Sequence, residues 1–246
     1  MPTHSNPIRL LAATLLFAGI ASAQLVPPPA IPGKNDNLSK RKKQPRQNVE
    51  WLWQYSPPPA EGRENDLIQD PNYVPFLEQN FTAPQSFWGP DLKPRKSLVD
   101  TIQDFLAIPN KVVADDQRYI TATGCVFHFC PSRGLLFADL DSNNPLVVFA
   151  AVDWIRDSRP TTDPEAEYTL WIFPNHTPGT VENPQALPPP LVRSITRWMA
   201  EPIARTGIHQ KITHAILVDP DGTPHQIPVP APPAAPEKAA PLPKRH

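Results

Sequence analysis

Short apolar and alternating segments follow one another between residues 111 and 229, and their spacing predicts a β-sheet. Residues 118–124 alternate like a half-buried strand, whereas residues 145–152 form a continuous apolar run that suits a central strand. Further strands are predicted at residues 111–113, 135–140 and 168–173, with a closing hairpin of residues 215–218 and 225–229. The Pro-Asp-Gly sequence at residues 220–222 predicts the turn of that hairpin. Strands this short and close together are typical of an antiparallel meander.

Two other segments have apolar residues at helical spacing. Residues 97–106 predict a helix with Ser97 as its N-cap and with Asp100 adding negative charge to the first turn. Pro109 is predicted to stop this helix, and Asp115-Asp116 to form the next turn. Residues 191–199 carry a second apolar helical face after three prolines. An antiparallel sheet with a few helices therefore predicts an α+β domain over residues 96–229.

The segment before this domain is rich in aromatic residues but has neither a helical nor a strand period. Residues 51–95 interleave tryptophan, tyrosine and phenylalanine with proline and acidic side chains. This pattern predicts an extended aromatic and Pro-rich arm whose rings pack onto the domain surface. A carbohydrate-binding strip of the same aromatic side chains is the functional alternative.

Proline changes the picture at both ends of the chain. The sequence contains 36 prolines in 246 residues, and proline runs favour extended conformations because proline cannot build helix or central-strand interiors. We therefore predict a disordered Pro/Lys-rich linker over residues 24–50 and a disordered Pro/Ala-rich tail over residues 230–246. Together with residues 51–95, these segments form Pro-rich extended arms around the globular middle.

The N-terminal residues predict export. Arg9 precedes an apolar stretch over residues 10–20, and Ala21-Ser22-Ala23 follows as a small-residue cleavage site. The apolar stretch is shorter than the about 20 residues of a membrane span. An uncleaved anchor or a buried core helix is the alternative. Residues 1–23 are thus predicted to be a signal peptide, which places the mature chain, starting at Gln24, in the periplasm or outside the cell.

Charge argues against general binding of nucleic acid. Cleavage would remove Arg9, the only charged residue of residues 1–23, so the net charge of −1 would become −2, whereas nucleic-acid binding requires a basic face. The one basic run, at Lys40, Arg41, Lys42 and Lys43, either contacts anionic envelope polymers or is a solvated linker. The sequence also leaves open the formation of a homodimer.

The candidate chemistry lies at the two cysteines, Cys125 and Cys130, which are the only ones in the chain. Because an exported chain meets an oxidising compartment, we expect these cysteines to pair. Their disulfide would close a short loop whose residues are Cys125, Val126, Phe127, His128, Phe129 and Cys130.

This Cys-x-x-His-x-Cys loop follows the strand over residues 119–124 and precedes the next predicted strand. The strand–loop–strand segment resembles the Ivy family of periplasmic inhibitors of vertebrate-type lysozyme. Members of that family carry a Cys-Lys-Pro-His-Asp-Cys loop between two strands of an antiparallel sheet. Cys125, His128 and Cys130 match the family loop, whereas the three positions between them differ. The resemblance covers roughly residues 95–175 and implies an Ivy-like core.

The resemblance implies a non-enzymatic inhibitor whose partner is a lysozyme or a lysozyme-like peptidoglycan hydrolase. A glycosidase cleft holds two carboxyl groups, and a neutral imidazole has one donor and one acceptor nitrogen with which to satisfy both. His128 would inherit this role, with Phe127 and Phe129 filling apolar parts of the cleft. Neither a cofactor nor a metal is expected, and the chain has no nucleophile-elbow, zinc-protease or phosphate-loop motif.

Other interpretations of the loop stay open from the sequence. In one interpretation, His128 is a surface residue on a structural loop and binds no target. Cys125, His128 and Cys130 are alternatively metal ligands, or the cysteines form a redox pair or a Cys-His nucleophile, although their spacing fits none of the usual motifs. The alternative function is that of a structural or binding protein of the cell envelope, which uses the Ivy-like scaffold without inhibition.

Overall fold

The computed structural model describes residues 49–55, 63–140 and 144–231. The predicted signal peptide, the basic run at residues 40–43, nearly all of the predicted linker and residues 232–246 lie outside the described residues. The described residues all belong to one compact unit, Pro45–His246. Within these residues, no helix combines the length and the apolarity that a membrane span requires.

A seven-stranded sheet forms the centre of the fold, and its strands lie in the order in which they occur along the chain. The strands are β1 (Ile108–Asp115), β2 (Tyr119–Val126), β3 (Phe129–Asp139), β4 (Val147–Trp154), β5 (Glu167–Pro174), β6 (Lys211–Val218) and β7 (Pro224–Ile227). Every predicted strand is present, and most are longer than predicted. The α+β class and the meander from β1 to β5 are therefore confirmed.

The sheet departs from the prediction at one pair of strands. β5 and β6 are parallel, whereas all other neighbouring strands are antiparallel. Parallel strands need a crossover connection, and here the connection contains the helix α4 (Pro189–Met199). The sequence indicated both the helix and the strands, but the wholly antiparallel sheet that we predicted from them is wrong.

Helices cover both faces of the sheet, so its central strands are buried on both sides. The first face packs against a 3-10 helix (Glu50–Tyr55) and against α1 (Arg63–Gln69), α2 (Tyr73–Asn80) and α3 (Leu98–Phe105). The second face packs against α4. Residues of β4 alternate between the two cores, and Val147 to Val152 are fully buried. Burial on both faces explains why β4 is a continuous apolar run.

Within the predicted arm, the described residues 51–55 and 63–95 are partly helical rather than extended throughout. This segment contains the 3-10 helix, α1 and α2, and their buried side chains complete the first core. Leu52, Tyr73, Phe76 and Leu77 are each exposed by 4% or less, and burial of such a side chain contributes about 1.5–3 kcal/mol. Helices of only two turns are too short for a clear apolar period, so burial against the sheet decides their conformation.

The predicted helix of residues 97–106 is confirmed as α3. Ser97 is its N-cap and forms a capping box with Asp100, because each side chain accepts a hydrogen bond from the backbone of the other. Pro109 lies beyond the end of this helix, in the edge strand β1. The register of β1 shifts between Pro109 and Lys111, a position where an edge strand tolerates proline.

Candidate functional site

The two cysteines lie at the end of the β2–β3 hairpin and form a disulfide, as predicted. Their Cα atoms are 4.8 Å apart. The loop that they close is tighter than expected, because β2 continues to Val126 and β3 begins at Phe129. Only Phe127 and His128 lie outside the strands, so the predicted six-residue loop is a two-residue turn between four strand residues.

A large bulge in β3 makes room for the disulfide. Cys125 lies opposite Arg133, yet the next residue, Val126, lies opposite Phe129. Cys130, Pro131 and Ser132 therefore have no partner in β2, and the bulge brings Cys130 back to Cys125. Bulges re-aim side chains and occur often next to functional sites, and this bulge separates the tip from the regular ladder.

The tip presents two aromatic rings to solvent. The Phe127 side chain is 60% exposed, His128 is exposed as well, and their ring centroids are 3.8 Å apart. His128 has a φ of 60°, in the left-handed region that few residues other than glycine adopt, although histidine does so more often than most. Neither tip side chain makes a hydrogen bond with the described residues, so the imidazole nitrogens stay available to a partner.

Two glycines fix the hairpin against the end of α3. Gly124 and Gly134 lie directly opposite each other in β2 and β3. A Cβ atom on Gly124 would lie 2.9 Å from the Leu106 Cα, and one on Gly134 would lie 2.9 Å from the Phe105 Cβ. Because such distances are shorter than ordinary contacts, only glycine permits this close approach of α3 to the sheet.

Below the tip, Ser132 anchors the bulge to β4 on the α3 side of the sheet. The buried Ser132 Oγ donates a hydrogen bond to the Asp153 Oδ1 at 2.5 Å. Burial raises the pKa of the Asp153 carboxyl above its ordinary range, although this hydrogen bond and the charge of Arg156 act in the opposite direction. The carboxyl therefore sits in a water-poor position directly under the hairpin.

Arg133 anchors the same strand to α4 on the other side of the sheet. Its Nη1 donates to the Glu201 carbonyl oxygen at 2.9 Å and its Nη2 to the Met199 carbonyl oxygen at 3.3 Å. The guanidinium also lies 5.2 Å from the ring centroid of Trp198. Burial lowers the pKa of Arg133 to about 10. Arg133 thereby satisfies carbonyl groups at the C-terminal end of α4, which complements the helix dipole.

Two further contacts hold the flank of the hairpin that faces away from α3. The Gln210 Nε2 donates a hydrogen bond to the Pro131 carbonyl oxygen at 2.6 Å. The ring of Phe129 lies 6.3 Å from that of Trp154, centroid to centroid, and the Trp154 Nε1 donates to the Arg159 carbonyl oxygen at 2.8 Å. Phe129 is thus half-buried, unlike Phe127, and contributes to the base of the hairpin rather than to its tip.

The opposite flank of the hairpin opens onto a cleft of about 450 Å³. The cleft is lined by Val126 and Phe127 of the hairpin and by the loop of residues 88–92, together with Lys96, Asp104, Ala107 and Arg156. Within the cleft, Asp104 accepts hydrogen bonds from the Lys96 Nζ and, at 3.0 Å, from the Trp88 Nε1. This cleft was not predicted from the sequence, since Leu92 and Val126 in its lining are about 35 residues apart along the chain.

The disulfide bears on two of the open interpretations of the loop. Cys125 and Cys130 bear no free thiol, whereas a metal ligand and a Cys-His nucleophile each require a thiolate. The redox interpretation stays open, because a redox pair in its oxidised form is itself a disulfide. Within residues 49–55, 63–140 and 144–231, no group of three or more histidine, cysteine or acidic side chains is arranged to hold a metal ion. What the site offers is a rigid hairpin that carries Phe127 and His128 at its tip.

Searches against family models, curated proteins and solved structures found no match to this chain. A functional conclusion therefore depends on the geometry of the hairpin and on the resemblance of its loop residues.

Proposed function

We propose that this protein is an exported inhibitor that inserts the Phe127–His128 turn into the active-site cleft of a lysozyme-like muramidase. The observation that carries the proposal is the exposed tip of a disulfide-closed hairpin whose base is anchored on both faces of the sheet. A loop packed beneath other side chains would have favoured a purely structural role. His128 is exposed instead, and its two ring nitrogens suit a pair of carboxyl groups, one protonated and one ionised.

Rigidity supports inhibition by insertion. A loop that is already held in its bound shape loses little conformational entropy when it docks, and each side chain that needs no ordering saves about 0.5–1.5 kcal/mol. The disulfide, the Ser132–Asp153 hydrogen bond and the Arg133 contacts with α4 all act below the tip. The side chains at the tip are therefore not needed to hold the hairpin and can contact a partner.

The tip chemistry indicates which part of a target cleft it would occupy. Phe127 stands next to His128 and has no charge, and the residue after His128 is the half-buried Phe129. An apolar tip with a single polar ring would enter a narrow cleft without leaving unpaired charges buried. The imidazole would meet the carboxyl groups, while the exposed phenyl ring of Phe127 would fill an adjacent apolar part of the cleft.

The experiment measures inhibition of vertebrate-type lysozyme and of bacterial lysozyme-like muramidases by the wild type and by His128→Asn. Asparagine tolerates the left-handed backbone of residue 128, so this variant removes the imidazole and keeps the turn. We expect a loss of about 30- to 1,000-fold in affinity, because two buried carboxyl groups would lose their partner at a cost of about 2–4 kcal/mol. His209→Asn, at an exposed histidine outside the hairpin, is the matched control and should inhibit like the wild type.

Absence of inhibition by the wild type across the whole panel would contradict the proposal and favour the alternative, an envelope protein that uses the same scaffold without inhibiting. If His128→Asn inhibits as well as the wild type, the histidine does not carry the contact. Thermal unfolding of His128→Asn would show whether the fold is intact, and we expect its midpoint to stay close to that of the wild type because the side chain is exposed.

A further inference from the structure

The hairpin tip is too small to hold a protein partner by itself. Phenylalanine, tyrosine and tryptophan side chains bury about 150–250 Å² each and the imidazole ring is no larger, so Phe127 and His128 together would contribute at most about 500 Å². A stable complex buries about 800 Å² on each partner. A hydrolase that accepts the tip must therefore also contact surface beside the hairpin.

The exposed apolar side chains indicate which neighbouring surface this is. Five large hydrophobic side chains are exposed among the described residues: Val74, Leu92, Ile108, Phe127 and Val181. Phe127 and Leu92 both line the cleft beside the hairpin. Ile108 pairs with Cys125 in the sheet and follows Ala107, which also lines the cleft. Exposed apolar groups that lie together beside charged residues mark a binding surface.

The charges of the cleft are arranged for an external partner. Lys96 and Asp104 neutralise each other by their ion pair. Arg156 is exposed, and it makes no ion pair or hydrogen bond with the part of the chain that the structure describes, although its charge acts on the pKa of Asp153. Asp91, which also lines the cleft, is likewise exposed and makes no ion pair or hydrogen bond with those residues. The lining of the cleft therefore includes an exposed cation and an exposed anion.

On the other flank of the hairpin, neither Phe129 nor Trp154 is among the large apolar side chains that are exposed within the described residues. There the rings of Phe129 and Trp154 are both half-buried, with their centroids 6.3 Å apart, and the indole N–H of Trp154 is bound to a backbone carbonyl group. The ring of Phe129 and the ring and N–H of Trp154 thus already have contacts within the protein. A partner that approaches the tip would gain more contact area on the side of the cleft.

We infer that the cleft is a second contact site for the hydrolase: an apolar side chain from the rim of the target's active-site groove packs between Phe127 and Leu92, and a target carboxylate next to it pairs with Arg156. This inference rests on the proposed function and assigns the cleft as part of the same interface. Because Phe127 belongs both to the tip and to the cleft wall, the two contacts are continuous.

The apolar part of the inference is tested by Leu92→Asp against Val181→Asp. Both substitutions place the same charge at an exposed apolar residue, but Val181, which is 94% exposed, is not among the residues that line the cleft. We expect Leu92→Asp to weaken inhibition about tenfold or more, the effect of losing a contact worth about 1.4 kcal/mol or more. Val181→Asp should leave inhibition unchanged.

The charged part is tested by Arg156→Gln against Arg193→Gln. Arg193 pairs with Asp116 in the β1–β2 turn, so its substitution removes the same charge at the end of β2 opposite the hairpin. We expect Arg156→Gln to slow association with the target at low ionic strength, with the difference shrinking as salt is added, because a peripheral charge acts mainly through steering. Arg193→Gln should associate like the wild type.

These measurements separate the inference from the proposed function. If the wild type inhibits no muramidase, both fail together. If the wild type inhibits and His128→Asn does not, while Leu92→Asp inhibits like the wild type, the proposed function stands and the second contact site is overturned. Loss of inhibition in Leu92→Asp, with Val181→Asp and the thermal unfolding midpoint unchanged, supports the second contact site.

Discussion

Two hairpins of the same sheet are closed in opposite ways. In the β6–β7 hairpin, the Asp219 N–H donates to the Thr223 carbonyl oxygen at 2.9 Å, and the Gly222 N–H donates to the Asp219 carbonyl oxygen at 2.8 Å. The Asp221 carboxylate accepts a third hydrogen bond, from the Thr223 N–H at 2.9 Å. The turn thus satisfies its own polar groups. The β2–β3 hairpin is held by a disulfide and by anchors below it.

The comparison shows how a turn becomes available for binding. A turn that is stabilised by its own side chains has few groups left for a partner, whereas anchors at the base leave the tip side chains unused. Asp219 of the β6–β7 hairpin pairs with His225 at 2.8 Å, while His128 has no such partner among the described residues. Four predictions test this difference, from the largest expected effect to the smallest.

The largest effect is expected from Gly134→Ala, which removes the close approach of α3 to the hairpin. The new Cβ would lie 2.9 Å from the Phe105 Cβ and 3.0 Å from the Phe105 carbonyl oxygen, so backbone must move. We expect a loss of about 3 kcal/mol in unfolding free energy, at the upper end for overpacking, with weaker inhibition. Urea unfolding measures it, and an unchanged midpoint would show that the anchor is dispensable.

The second effect concerns the disulfide. Closing a loop of this length contributes about 2 kcal/mol on the chain-entropy model, so the double substitution Cys125→Ser and Cys130→Ser should lower the unfolding free energy by that amount. Inhibition should fall as well, because the tip loses its fixed shape. Treatment of the wild type with a reductant is the parallel measurement. Equal inhibition by reduced and oxidised protein would contradict the role assigned to the disulfide.

The third effect tests the self-contained turn. Gly222 has a φ of 91°, and a Cβ there would lie 2.5 Å from the Pro84 Cγ. We expect Gly222→Ala to cost about 1–2 kcal/mol in unfolding free energy without a change in inhibition. Gly207→Ala, at a φ of 72° with no atom within 4 Å of the new Cβ, is the control that contains the backbone strain alone. Weaker inhibition by Gly222→Ala would mean that the two hairpins are coupled.

The smallest effect is a difference in pH dependence. Burial raises the pKa of Asp153, which lies below the β2–β3 hairpin. The folded protein therefore holds the Asp153 proton more tightly than the unfolded chain does. The free energy of unfolding falls as pH rises from the ordinary value of 3.8 through the raised pKa. The hydrogen bond from the Thr223 backbone lowers the pKa of Asp221. Its contribution is present above the ordinary value and is lost as pH falls through the lowered pKa.

Urea unfolding of Asp153→Asn and Asp221→Asn over a pH series measures this difference. Relative to the wild type, Asp153→Asn should lose less stability as pH rises, and Asp221→Asn should lose less as pH falls. Identical pH profiles for the two variants would show that the environments of the two carboxyl groups are alike, against the geometry of the hairpins.

The sequence predicted those parts of the fold whose conformation is set by residues close to one another in the chain. The capping box of Ser97 and Asp100 begins α3, and the Pro-Asp-Gly turn joins β6 to β7 as expected. The apolar run of β4 predicted a central strand, and β4 is one. Each of these signals lies within about ten residues, and the groups that satisfy the backbone lie in the same segment, so no distant contact is needed to interpret them.

The disulfide of the candidate site was predictable from the sequence, whereas the shape of the hairpin was not. The pairing of Cys125 with Cys130 and the exposure of His128 agree with expectation. The bulge that shortens the loop to two residues was not foreseen, because it depends on the register that β2 and β3 adopt farther along the ladder. Phe129 was assigned to the tip, yet its contact with Trp154 of β4 places it at the base.

By itself, the sequence determined the strands, two of the helices, the polar turn and the cysteine pair, because neighbouring residues supply the hydrogen bonds or the covalent bond that fix them. The tertiary structure alone decided that the 3-10 helix, α1 and α2 form and bury apolar side chains in the first core, that β5 and β6 are parallel, and that a cleft opens beside Phe127. These features arise from apolar burial between segments far apart in the chain, and that burial outweighs the weak local preferences of short segments.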